Sequence, residues 1–142
     1  STYQQKILKK AGDGTDNFVT AKTLSTSFVD ITGGSYFIDC ANWDEMTINL
    51  FYNADISGET ISSRVDFSPN QTDWNSEADE VVTAGDAAQL PRTRTFTSTG
   101  AVEEPVPVIS IPLNDRWARL MVKNSASTGV ARAIITMSKV GS

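Results

Sequence analysis

A two-residue alternation of apolar and polar side chains recurs along this chain, punctuated by short clusters of Gly, Asn, Asp, Ser and Pro. Its clearest instance is residues 45–52, where Met46, Ile48, Leu50 and Tyr52 fall on one side of an extended backbone and Thr47 and Asn49 on the other. Residues 61–67 repeat the pattern, with Ile61, Ser63, Val65 and Phe67 on one face and Ser62, Arg64 and Asp66 opposite. Residues 116–123 set Ala118, Leu120 and Val122 together, and residues 130–137 set Ala131, Ala133, Ile135 and Met137 together. A period of two is that of a strand with one face in a core and one toward water. A helix would need apolar residues at intervals of three and four.

Shorter extended segments lie between these: residues 18–20, 27–31, 36–40, 92–99 and 108–111. Turn-forming sequences separate them at residues 32–35, 41–44, 53–58 and 124–129. Pro105 and Pro107 confine any strand near them to a sheet edge, because proline donates no ladder hydrogen bond. About eight short strands with almost no helical pattern predict an all-β protein, an antiparallel β-sandwich most economically wound as a jelly roll. Residues 17–142 suffice for one such domain.

Residues 1–16 differ from the rest. Tyr3, Ile7, Leu8 and Ala11 share one face of a short helix ahead of the breaker Gly12-Asp13-Gly14, so the segment is expected to be a short helix or an arm. About ten residues is marginal for an isolated helix, so the segment must either dock on the domain or order on a partner. Residues 75–91 form a long acidic connection carrying Glu77, Asp79, Glu80 and Asp86, with a short strand expected at 80–83. Connections of that length in a compact domain commonly have a role. Tyr3, Ile7, Leu8, Glu77, Asp79 and Glu80 are therefore the candidate partner contacts.

Composition narrows the chemistry. With twelve basic and seventeen acidic residues the net charge is −5, which disfavours nucleic acid as a partner, since phosphate binding needs clustered Lys and Arg. No apolar run approaches the roughly 20 residues of a membrane span, and residues 1–6 lack a signal-peptide core, which predicts synthesis in the cytoplasm. The chain contains no histidine, so Ser-His and Cys-His nucleophile systems and the commonest metal ligand are missing. The single cysteine, Cys40, can form no intrachain disulfide and reads as a small buried hydrophobe. Oxygen-rich residues 13–17 and 70–73 lack calcium-loop spacing and read as turns that cap their own backbone. No enzyme activity, metal or cofactor is expected. Trp43 and Trp74 offer an alternative stacking surface for a sugar, although a tryptophan at a strand end also plugs a sandwich. The plug is preferred for Trp117 and Trp74: Phe67 pointing inward and Trp74 closing one end.

Two motifs carry a resemblance. Asp66-Phe67-Ser68-Pro69-Asn70-Gln71-Thr72-Asp73-Trp74 and Arg116-Trp117-Ala118-Arg119-Leu120, with opening segments at residues 23–30 and 42–48, resemble small β-sandwich proteins of tailed bacteriophages and prophages. The resemblance spans roughly residues 20–138. It implies a jelly-roll virion protein, foremost a capsid decoration protein binding the major capsid protein and self-associating, with a trimer favoured. A tail-associated protein comes next. Discoidin-like and carbohydrate-binding sandwiches share the strand, loop and tryptophan pattern and supply the alternative, a glycan-recognising module.

Overall fold

The computed structural model describes residues 2–8, 22–31, 37–79, 90–100, 102–126 and 128–141. Twelve strands form among them: β1 (Thr2–Leu8), β2 (Lys22–Thr23), β3 (Val29–Asp30), β4 (Ile38–Asp39), β5 (Glu45–Asn53), β6 (Thr60–Ser68), β7 (Asn75–Ser76), β8 (Arg94–Thr97), β9 (Glu103–Pro105), β10 (Ile109–Pro112), β11 (Trp117–Asn124) and β12 (Val130–Gly141). The four longest alternating segments of the sequence are β5, β6, β11 and β12, and they form the two central strand pairs.

In sheet A, β12 pairs with β5, β1 and β2 share the flank beside β12, and β9 and β10 share the flank beside β5. In sheet B, β11 pairs with β6, β3 and β4 flank β11, and β7 and β8 flank β6. Every pairing is antiparallel. Each flank holds two short strands in tandem, so twelve strands occupy eight positions. Counted along the chain, sheet A reads 1-8-3-6 and sheet B reads 2-7-4-5. That order is the doubled Greek key of a jelly roll.

The N-terminal segment departs from the helical alternative. Thr2–Leu8 is a strand on β12, in register from Thr2 opposite Gly141 to Leu8 opposite Ile135. A helix of this length gains too few internal hydrogen bonds to repay its nucleation, whereas the open edge of β12 offers a full ladder. Tyr3, Ile7 and Leu8 therefore belong to a sheet edge. The rest of the expected arm, the segments 18–20 and 80–83, and Asp86 lie outside the described residues.

Sheet A contributes Met46, Ile48, Leu50, Tyr52, Ala131, Ala133, Ile135 and Met137 to the core; Ile61, Val65, Ala118, Leu120 and Val122 come from sheet B. Large and small residues sit opposite one another, Leu50 across from Ala133, Tyr52 from Ala131 and Phe67 from Ala118. Such alternation of large and small residues lets facing side chains interdigitate. Cys40 is buried, its thiol donating weakly to the Ile38 carbonyl at 3.7 Å. Burial, aided by the charge of Asp39, pushes that thiol up to about 12, so it stays protonated and packs as a hydrophobe.

A buried polar group ties the two sheets at one end. The Tyr52 hydroxyl donates to Asn124 Oδ1, and Asn124 Nδ2 donates to Glu59 Oε2 at 3.4 Å. Burial, then the Glu59 charge, raises the Tyr52 hydroxyl to about 12. The Leu24 amide donates to Gly129 O at 2.8 Å, seating Gly129 over this network. At the turn between β8 and β9, the Glu104 carboxylate accepts from Ser98 Oγ at 2.9 Å and from the amides of Thr99 and Gly100, each at 3.0 Å. These donors, led by Ser98, hold its carboxyl below the ordinary carboxylate range.

Two outcomes follow from these bonds. A Cβ on Gly129 would stand 2.5 Å from Asn124 Nδ2 and 3.1 Å from Tyr52 Cε1, and the Asn124 amide is bonded on both sides and has no room to retreat. Gly129→Ala is expected to cost about 1–3 kcal/mol as overpacking, read as a lower urea midpoint at unchanged slope; an unchanged midpoint would refute the locked network. A depressed folded-state pKa stabilises the fold above the ordinary carboxyl value of 4.5, and the benefit fades as pH falls through the folded value. Glu104→Gln should therefore flatten the acid limb of a stability-versus-pH curve, with little change in its slope above pH 6.

Candidate functional site

The outward face of sheet B carries the densest chemistry among the described residues. It begins with the parity of β6. Ile61, Ser63, Val65 and Phe67 turn inward, so Ser62, Arg64 and Asp66 turn out. In β11 the inward set is Ala118, Leu120, Val122 and Asn124, leaving Trp117, Arg119, Met121 and Lys123 outside. Register then aligns the outer residues: Arg119 lies opposite Asp66, Met121 opposite Arg64, and Lys123 opposite Ser62. Phe28 ahead of β3, Phe37 ahead of β4, and Trp74 ahead of β7 roof this surface.

Asp66 is its hub. Although on the outer face, its side chain is 2% exposed. Oδ1 accepts from Arg64 Nε at 3.1 Å and Ser76 Oγ at 2.8 Å, and Oδ2 from Arg119 Nε at 3.1 Å. Arg119 Nη2 stands a further 3.0 Å from Oδ2. A buried carboxylate is tolerated when its lone pairs are met in this way. The arginines are sandwiched in turn: the Arg119 guanidinium lies 4.3 Å from the Trp74 ring centre, and Arg64 lies 4.3 Å from that of Phe28. Lys123 Nζ is 4.9 Å from the same Phe28 ring. Phe37 meets Trp74 at 4.8 Å with the planes tilted by 53°. At the far end Arg116 covers Trp117 at 4.7 Å and pairs with Asp39 at 2.9 Å. Cations thus alternate with aromatic rings across the sheet, each pair favourable by cation–π attraction.

The structure relocates two tryptophans. Trp74 does not close an end of the sandwich. Ser76 pairs with Asp66 and shares its outer face, so Trp74, two residues earlier, emerges on that face as well. Trp117 has the parity of Arg119 and lies outside with it, opposite Ser68 and Asp39. Phe67 does pack against the core, and so does Trp43. The stacking pair Trp43 and Trp74 is therefore not assembled, one residue lying against the core and the other under Arg119. Residues 69–73 form a self-capped turn: Asn70 Oδ1 accepts from the amides of Thr72 and Asp73, both at 2.9 Å, while Asn70 Nδ2 donates to Asp73 Oδ2 at 2.8 Å.

The acidic candidates fare differently. Glu77 follows β7 and grips Arg94 of β8 through two bonds, at 2.9 Å and 3.3 Å. Asp79 donates its amide to Leu90 O at 2.8 Å, and Glu80 lies outside the described residues. Glu77 thus serves as an internal latch at the β7/β8 edge of sheet B, whereas Tyr3, Ile7 and Leu8 lie on the β1 edge of sheet A. The two groups do not converge. Among the described residues no group of three or more acidic or thiol side chains is placed to hold a metal ion. No protein-family model matches the chain, and no curated protein is a significant relative.

The outer-face cluster was partly readable beforehand. Parity places Arg64, Asp66, Arg119 and Lys123 opposite the apolar set, but the aromatic roof comes from three loops whose approach no spacing encodes. Replacing Asp66 by Ala is expected to cost about 3 kcal/mol, the lower end for breaking a buried ion pair, because two arginines lose their shared carboxylate. Thermal unfolding checks this, and a loss under 1 kcal/mol would show the carboxylate to be dispensable.

Proposed function

We propose that the chain is a non-enzymatic structural protein of a virion, foremost a capsid decoration protein that docks on the shell of the major capsid protein. The supporting observation is the contrast between the two outer faces of the jelly roll. Sheet B gathers cations and aromatic rings. The middle of the outer face of sheet A instead carries the short uncharged side chains Thr47, Asn49, Ser110 and Thr136, with Ile134 among them. Thr47 and Ser110 hydroxyls stand 3.3 Å apart across the β5/β10 pair. Glu45 lies at one end of this face; toward the other lies Phe51, with Arg132 stacked 4.2 Å from its ring centre and paired with Glu103 at 2.7 Å.

An uncharged centre with charges at its margins suits an interface core, where charged residues are depleted. The edge strand β1 adjoins the same sheet and extends the contact surface. A decoration protein requires this much and no reaction chemistry: a packed sandwich, a docking face and an edge. Self-association about a symmetry axis of the shell accompanies this reading, as does a location on the capsid surface.

Mass spectrometry of purified particles should find the chain at a stoichiometry fixed by capsid symmetry, and its absence from them would overturn the proposal. Light scattering of the isolated protein should give an oligomer, a trimer being favoured. A lysine at the centre of the docking face, Asn49→Lys, should weaken retention on shells at least tenfold while leaving the melting temperature unchanged. Deleting residues 1–16 should weaken retention too; wild-type binding by a folded deletion variant would remove β1 from the contact.

A further inference from the structure

A second site lies on the opposite sheet. At the end of the outer face of sheet B, a polar pocket of about 290 Å³ is lined by Thr26, Thr60, Ser62, Lys123, Asn124 and Ser125. Strand register builds it. Lys123 stands opposite Ser62 across the β11/β6 pair, and the Ser125 amide donates to Thr60 O at 2.9 Å, extending that ladder by one step. Thr26 enters from the turn before Phe28, where Ser25 Oγ and Ser27 bond each other within the turn. Asn124 forms the floor, with its amide turned inward to Tyr52 and Glu59.

The lining specifies a ligand chemistry. Four of the six residues are hydroxylic, and a hydroxyl both donates and accepts, as do the hydroxyls of a sugar. Ser125 Oγ accepts the Thr60 amide at 2.9 Å, which leaves its hydrogen to donate. A bare phosphate or sulfate offers acceptors alone and would be better met by amides or a guanidinium. The charge comes from Lys123. Among the described residues no carboxylate pairs with it; the contact that holds its ammonium is the Phe28 ring, 4.9 Å from Nζ. The neighbouring Arg64, by contrast, is already committed to Asp66. Glu59, the carboxylate bonded to the floor residue Asn124, is itself buried. The volume is at the small end of ligand pockets, which start near roughly 300 Å³, enough for one sugar ring and not for a chain of them.

We infer that this pocket binds a terminal acidic sugar, a pyranose bearing a carboxylate, with Lys123 pairing with the carboxylate and Ser62, Thr60, Ser125 and Thr26 meeting its hydroxyls. Phe28 acts as a positioning residue that holds the Lys123 ammonium at the rim. The site goes beyond the virion reading and does not depend on it. On a particle docked through sheet A it would face outward, where surface glycans are met.

The test uses the full chain and isothermal titration. The probes are oligosaccharides ending in glucuronate, galacturonate or sialate, their neutral parents, and a hexaglutamate peptide. At least one acidic sugar should bind tenfold or more tightly than its neutral parent. Lys123→Gln should erase that preference, and Ser62→Ala should weaken acidic and neutral sugars alike by threefold or more, both variants melting as the parent does. Binding by none of the acidic sugars, equal binding of the neutral parents, or a preference that survives Lys123→Gln would overturn the site. Hexaglutamate competing as well as the sugar would assign the surface to charge alone and overturn it too.

Discussion

The register between β6 and β11 is the constraint on which the rest of this structure depends. Eight residue pairs run from Trp117 opposite Ser68 to Asn124 opposite Ile61. A slip of one residue would turn Arg64, Asp66, Arg119 or Lys123 toward the core and bring Leu120 or Val65 to the surface. Because a buried unpaired charge costs far more than any single strand hydrogen bond contributes, the alternative registers are strongly excluded. The same pairing that closes the core also assembles the outer cluster, so packing and surface chemistry are set by one choice.

That outer cluster behaves as a partial third layer. Asp66 is as buried as the core, yet it sits on the wrong side of the sheet for an ordinary interior residue. Two guanidiniums, one hydroxyl and the rings of Trp74 and Phe28 take the place of solvent around it. The Arg116–Asp39 pair is different: both partners are about half exposed, at 51% and 48%, and solvent screening leaves such a pair little weight in stability. Four cations, Arg64, Arg116, Arg119 and Lys123, lie on this face of a chain whose net charge is −5. The two outer faces therefore differ in chemistry: short uncharged side chains occupy the centre of sheet A, and arginine, lysine and aromatic side chains gather around Asp66 on sheet B.

Legibility followed periodicity. The four long alternating segments announced both the strands and their buried faces, since side-chain parity along a strand is a local property. Parity also places Trp117 on the outer side with Arg119, against the plug that its position at a strand end suggested. Trp74 was not readable in this way. It follows a turn at residues 69–73 that resets parity, and its face is decided by how β7 meets β6. The N-terminal segment stayed open between helix and arm for a related reason. Tyr3, Ile7 and Leu8 satisfy a helical spacing as well as an extended one, and a segment of seven residues has too little internal hydrogen bonding to choose.

The amino-acid sequence by itself determined the class of fold, the strand faces and the lack of histidine side chains, because each of these depends on composition or on neighbours two residues apart. Tertiary structure alone decided the jelly-roll order, the strand state of β1, and the meeting of Phe28, Trp74, Arg64, Arg119 and Asp66. It also decided the convergence of Thr26, Ser62, Lys123 and Ser125 around one pocket. Those outcomes join residues dozens of positions apart, and it is the pairing of whole strands, not any local preference, that brings them together.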